Sequence, residues 1–301
     1  MGNCWNSLSY ALPRRRILIT RFIIKSFYST PKDLITFTSK EVASCAASRS
    51  AESVRERLIL AVASSKFSRV KSGIPGYDEL VGGGFHKGTV NTITGSSGTG
   101  KTVFASQFIQ YGIKNGERGM IITPSESSEY LKREMMASFG WDFSAMEDSG
   151  KLSIVDVTDP VLRLQKSIDV DPVDFLINFR KLVERKLEET KPDRLFIDDL
   201  TAFFMAVEAP FKIRSLTDDL FGIIRASGVT ALVTIGTAFG TNQFLEYGAD
   251  SATILSRERI GNNLIRSIYI MKMRGSRIAN TIRVLDVSDE GISVSALSPY
   301  P

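Results

Sequence analysis

Histidine and cysteine are almost absent from this 301-residue chain: His86 is its one histidine, and Cys4 and Cys45 are its two cysteines. That scarcity excludes a four-ligand Cys/His metal centre and a disulfide framework. It suits a reducing compartment, and a cytoplasmic location is expected. Long apolar runs are missing too. The stretches 17–24 and 230–239 are too short to cross a bilayer, and Arg21 interrupts the first, so no membrane span is expected.

Acidic residues are absent from the first 32 positions, which carry Arg14, Arg15, Arg16, Arg21, Lys25 and Lys32 among many serines. This is the composition of a mitochondrial transit peptide. A basic disordered arm, or an extension from a misassigned start, has the same composition. The opening MGNCWNS misses a myristoylation signal because Asn6 stands at its sixth position. Residues 1–66 hold 11 Lys/Arg against 4 Asp/Glu, whereas the rest holds 27 against 29. The basicity therefore belongs to the N-terminal segment, read as disordered or partly helical over 50–65. The near-neutral remainder lacks the clustered cations that a DNA backbone demands.

From residue 67 to 301 one domain is expected. Apolar runs of five or six residues (TVNTIT, GMIIT, LSIVDV, RLFIDD, TALVTI) alternate with helical patterns at 101–114, 127–138, 172–190 and 212–226. Such alternation predicts an α/β fold with a mostly parallel central sheet flanked by helices. In 172–190, Phe175, Leu176, Phe179, Leu182, Val183 and Leu187 recur at helical spacing, a core stripe. After Ser251 short strands follow one another with turns at GNN and SDEG, predicting an antiparallel C-terminal extension.

The stretch GSSGTGKT, comprising Gly95, Ser96, Ser97, Gly98, Thr99, Gly100, Lys101 and Thr102, fits the phosphate-loop pattern G-x-x-x-x-G-K-[ST] between a strand and a helix. Its glycines let consecutive amides curl around a phosphate, and the helix that follows offers its positive dipole end. Lys101 is placed to reach the β- and γ-phosphates of ATP, and Thr102 to put its hydroxyl on Mg²⁺. The metal needs an acidic partner at the end of a neighbouring strand, and Asp198 in RLFIDDL supplies one. Asp199 beside it reads either as a second catalytic carboxylate or as a solvated loop residue.

With these elements placed, the chain resembles the KaiC-like family of the RecA superfamily of P-loop ATPases. The resemblance rests on SGIPGYDELVGGGFHKGTV, TGSSGTGKTVFASQFI, GERGMII, FIDDLT, MKMRGS and VSDEGISV in order, and has no counterpart for residues 1–66. It implies a RecA-like core with ATP at a subunit boundary, commonly in a homohexameric ring. It also implies that Lys272 and Arg274, in the K-M-R-G strand motif, act on a neighbouring subunit's phosphates, for which a shared strand face suits them.

Family members usually carry a glutamate pair after the strand that follows the phosphate-loop helix, the first activating water. Here Ser125 and Glu126 occupy those positions. A serine hydroxyl orients water but takes no proton at neutral pH, so Glu126 or Asp199 must substitute. The expected activity is a slow Mg²⁺-dependent ATPase that acts as a nucleotide-state switch toward a protein partner. The alternatives are a non-hydrolysing ATP-gated scaffold and a DNA recombinase paralogue. Phe203, Phe204 and Met205, and the stretch 239–244, read as partner-facing loops or as packing against the sheet.

Overall fold

A computed structural model describes residues 68–157, 172–201, 210–237 and 242–300. Contacts divide the chain into Met1–Lys66 and Phe67–Pro301. The first unit, with the helix expected over 50–65, lies outside the described residues.

The second unit is built on a nine-stranded sheet. Its parallel strands are β3 (Val90–Gly95), β4 (Gly119–Thr123), β5 (Leu152–Asp156), β6 (Arg194–Ile197), β7 (Thr230–Gly236) and β8 (Ser251–Ile260). A small hairpin of β1 (Arg69–Val70) and β2 (Phe85–His86), with a one-turn helix α1 (Tyr77–Leu80), precedes them. The connecting helices are α2 (Lys101–Lys114), α3 (Ser128–Phe139), α4 (Phe143–Asp148), α5 (Pro172–Thr190), α6 (Pro210–Ser227) and α7 (Asn242–Gly248). Strands β9 (Asn263–Met273), β10 (Arg283–Ser288) and β11 (Gly291–Val294) complete the sheet, in the order β11-β10-β9-β8-β3-β7-β6-β4-β5.

Period-two alternation divides the core. Ile93, Ile121, Phe196 and Leu232 face α2, where Phe104, Phe108 and Ile109 meet them. Their strand neighbours Met120, Ile122, Leu195, Ile197 and Val233 face the other way, onto Leu176, Phe179, Val183 and Leu187 of α5 and Leu220, Phe221 and Ile224 of α6. Each strand residue is thus buried on one face or the other, which is why these strands read as continuous apolar runs. Each large side chain so buried contributes about 1.5–3 kcal/mol. The α5 stripe expected from its spacing is core in this way, Phe175 lying outside the residues whose side chains are described.

The extension differs from expectation at its first strand. β8 pairs parallel to β3 along one edge and antiparallel to β9 along the other, so the sheet changes direction one strand later than expected. The short helices α4 and α7 and the β1–β2 hairpin are additions, being too short to show a period in the sequence. Phe244 packs partly buried against the core, whereas 203–205 and 239–241 lie outside the described residues.

Candidate functional site

The phosphate loop leaves the C-terminal end of β3 and turns into α2. Gly98 (φ 75°) and Gly100 (φ 102°) take left-handed backbone conformations that side chains disfavour. At Gly95 the constraint is proximity: a Cβ there would lie 2.5 Å from the Leu255 carbonyl and 2.6 Å from Thr99 Oγ1. Among the described residues, no hydrogen bond is donated by the amides of Ser97, Gly98, Thr99 or Gly100, and the first α2 amides have no intrahelical acceptor. The loop thus keeps amide donors available for an anion. Lys101 Nζ folds back onto it, donating to the carbonyls of Gly95 (3.0 Å) and Ser96 (3.1 Å).

Asp198 follows β6, two strands away, and its carboxylate is buried at the loop's edge. Thr102 Oγ1 donates to Asp198 Oδ2 at 2.8 Å, and Thr234 Oγ1 donates to Asp198 Oδ1. Burial pushes the Asp198 carboxyl above its ordinary pKa, against the lowering effect of the two threonine hydroxyls. Thr102 and Asp198, both expected as metal ligands, are therefore side by side.

Asp199 is joined to Asp198 by a cis peptide bond and spends its carboxylate locally: Oδ1 accepts from the Thr201 amide at 2.7 Å, closing a short turn. The stretch after β4 is likewise a tight turn. Thr123 Oγ1 donates to the Glu126 carbonyl, Ser127 caps α3 by accepting from the Tyr130 amide, and Asp156 Oδ2 accepts from the Ser128 amide at 2.7 Å. Ser125 Oγ donates to the Asp198 carbonyl at 3.0 Å, committing its proton to the backbone. Glu126 keeps its carboxyl exposed enough to meet solvent. Its pKa is raised by desolvation first, then by the charges of Asp198 and Glu134.

Lys272 and Arg274 are not part of this cluster. Met273 pairs with Ser251, and Ser251 with Asn91, so the two cations sit where β3 begins. Gly95 lies four residues on, roughly 13 Å of strand away. Lys272 Nζ donates to the carbonyls of Tyr247 (3.0 Å) and Ala249 (2.7 Å), and Arg274 Nη2 to Tyr247 (3.2 Å). Burial and the neighbouring Arg274 lower the Lys272 pKa. A register shift opposite Ala252 and Thr253 breaks the alternation here, leaving Met271 exposed and Met273 buried.

Two further cations do reach the loop. Arg266 Nε donates to the Gly98 carbonyl at 3.2 Å, and a Cβ on Gly98 would lie 3.7 Å from Arg257 Nη1. The β8–β9 hairpin projects them there because its outer half runs past the end of β3. Motif reading passed over both. The two-residue turn between Ile260 and Asn263 was the available signal, since counting back from it pairs Arg257 with Arg266.

Comparison with known proteins shows the family. A family model described as "ATPase: KaiC" matches residues 70–298. A UPF0273 protein of Pyrococcus horikoshii is 30% identical over 233 residues, covering 75% of this chain and 93% of that protein. A UPF0273 protein of Thermotoga maritima is 31% identical over 234 residues, covering 75% and 95%. The circadian clock protein KaiC3 of Synechocystis is 32% identical over 214 residues, 69% of this chain but 41% of that longer protein. The crystal structure of a KaiC-like protein from Pyrococcus horikoshii superposes with a TM-score of 0.65 at 35% identity, covering 76% of this chain and 99% of that one. Together with the phosphate loop and the sheet order, these matches place the chain in the KaiC family of P-loop ATPases, with the family's RecA-like fold.

Proposed function

We propose that the chain binds Mg²⁺·ATP at the Gly95–Thr102 loop, hydrolyses it slowly, and works in a homo-oligomer whose nucleotide state is read by a protein partner. The observation that carries the reading is the contact of Thr102 with Asp198 beside a loop of undonated amides. One hydroxyl and one carboxylate are hard oxygen donors of the kind Mg²⁺ takes, and a site with so few protein ligands leaves positions for phosphate and water. Among the described residues no group of three or more His, Cys, Asp or Glu competes for a metal. Bound there, Mg²⁺ supplies neutralisation of charge on the phosphate oxygens.

The chain's own residues divide the remaining work. The loop amides and Lys101 hold the phosphates once the lysine swings off the Gly95 and Ser96 carbonyls. Arg257 and Arg266 add positive charge from the same subunit. Glu126 is the base: its raised pKa makes it a better proton acceptor than an ordinary carboxylate, whereas Asp199 is tied through Oδ1 to the Thr201 amide of its own turn. Lys272 and Arg274, too distant from their own loop, serve a neighbouring copy's site, as a ring of six would allow.

A second reading, a non-hydrolysing ATP-gated scaffold, draws on Ser125, whose hydroxyl proton goes to the Asp198 carbonyl and which cannot act as a base. Turnover decides between them. Wild type, Glu126→Gln and Asp199→Asn are assayed with Mg²⁺·ATP, Lys101→Ala serving as blank and ATP binding checked in each. Turnover lost about 10²-fold or more in Glu126→Gln alone supports the ATPase. Wild type that binds ATP but matches the blank identifies the scaffold. Among the described residues, no helix is long and apolar enough to cross a membrane.

A further inference from the structure

Lys272 and Arg274 are followed by the turn Gly275–Ser276, and that turn is gripped by the protein's one histidine. His86 ends β2, paired with Arg69 of β1, and is 7% exposed. Its Nε2 lies 2.8 Å from Ser276 Oγ, and Arg69 Nη2 donates to the same oxygen at 2.7 Å. Arg69 is itself fixed, with Nη1 donating to the carbonyls of Val81 (2.9 Å) and Gly84 (2.7 Å).

A guanidinium only donates, so the Ser276 hydroxyl accepts from Arg69, and its proton and second lone pair let it meet Nε2 either as donor or as acceptor. The Arg274 backbone carbonyl, which also interacts with the ring, only accepts, so the neutral imidazole that serves both partners carries its proton on Nδ1 and accepts from Ser276 at Nε2. The charged groups facing the ring are Arg69 from β1 and Asp250 from the turn before β8. Burial and Arg69 lower the pKa more than Asp250 and the carbonyl raise it. Gly275, at φ 72°, allows the turn, and the Arg274 amide donates to the Asp250 carbonyl at 2.9 Å. The backbone that aims Arg274 is therefore held by hydrogen bonds at its amide and at Ser276, beside a ring that interacts with its carbonyl.

We propose that His86 is a positioning residue, which through Ser276 and the Arg274 carbonyl sets where Lys272 and Arg274 are presented to a neighbouring copy. This rests on the reading of those two cations as acting in trans. A second proton on the ring would have to enter Nε2, where the Ser276 proton already points, beside the Arg69 charge. Acid thus releases the turn.

A single histidine makes the test direct. In tag-free ¹⁵N-labelled protein, imidazole resonances should show the Nδ1–H tautomer, titrating below the ordinary 6.5, with Ser276→Ala moving the titration upward. His86→Phe should lower kcat about 10-fold or more at unchanged ATP affinity, since misplacement and not binding is the defect. Gln in the same place, which keeps a donor and an acceptor, should restore most of the rate while losing the acid limb of the pH profile. Where the Phe variant fails to fold, Ser276→Ala takes its place. In an Arg274→Ala background either substitution should cost less than it does in wild type, since only Lys272 is left to misplace. An Nε2–H tautomer, or a wild-type kcat in His86→Phe while Arg274→Ala is impaired, overturns this inference alone. Full turnover in Arg274→Ala removes the trans reading, and the inference with it.

Discussion

Arg257 and Arg266 stand directly opposite one another across β8 and β9, with the Arg266 guanidinium on the Gly98 carbonyl. Like charges facing across a strand pair destabilise it by about 0.2–1 kcal/mol, and both residues are partly or fully open to solvent, so salt softens the repulsion. A pair that costs stability at the rim of a phosphate loop has its compensation in an anion. Arg257→Gln or Arg266→Gln should raise Tm slightly in nucleotide-free protein at low salt. Either should weaken ATP about 10-fold, the larger effect falling on Arg266. Calorimetry and nucleotide titration at two salt concentrations check both signs; a Tm that falls in the free protein would make the pair structural.

Glu126 gives turnover a defined pH response. Its carboxyl holds a proton to higher pH than an ordinary glutamate, because of desolvation and the charges of Asp198 and Glu134. A base works only when deprotonated, so kcat should rise with pH through a value above 4.5, and Glu126→Gln should flatten that limb. The stability sign is opposite. Between the unfolded and folded pKa values the native state binds more protons, so raising pH through that window removes stability, and Glu126→Gln should remove the slope. Stopped-time phosphate release and thermal melts from pH 4.5 to 8 measure the two limbs.

Gly95→Ala separates proximity from conformation. Gly95 does not hold a positive φ, yet its new methyl would press on the Leu255 carbonyl and on Thr99 Oγ1. The β8 backbone cannot yield without disturbing the sheet, so a loss of about 1–3 kcal/mol is expected, as for other overpacked sites. Nucleotide affinity should fall as well, because Thr99 Oγ1 donates to the Ser96 carbonyl and shapes the loop. Denaturant unfolding and ATP titration check the pair of effects.

Local motifs are legible in this sequence, and pairings between distant residues are not. The loop from Gly95 to Thr102 was legible because phosphate chemistry fixes residue types at consecutive positions. Asp198 was legible because a buried strand, Leu195–Phe196–Ile197, announces where its C-terminal end must be. The parallel core was legible for the same reason. What stayed hidden depends on pairing across distance: Arg257 and Arg266 gain meaning only when the β8–β9 hairpin is laid over the loop. His86 gains meaning only when two residues near the chain's start meet Ser276. The turn that carries Ser125 and Glu126 was hidden as well, because Thr123, Ser127 and Asp156 close it with hydrogen bonds that no hydrophobic period reports.

Mixing of variants tests the trans role of Arg274 without relying on any single protein's activity. Arg274 lies at the end of the sheet where β3 starts, so it cannot serve the loop at the other end of its own β3. Arg274→Ala has an intact loop and a faulty cation; Lys101→Ala has a faulty loop and an intact cation. Each alone should turn over ATP poorly. In a head-to-tail assembly one face of a subunit meets the opposite face of the next. A random equal mixture then pairs a sound loop with a sound neighbouring cation at about one site in four. Recovery to roughly that fraction of the wild-type rate is expected once subunits have exchanged. A mixture that stays at the level of its components would mean that Arg274 is needed within its own chain, holding the α7 end through the Tyr247 carbonyl, and that the site is complete in a single subunit.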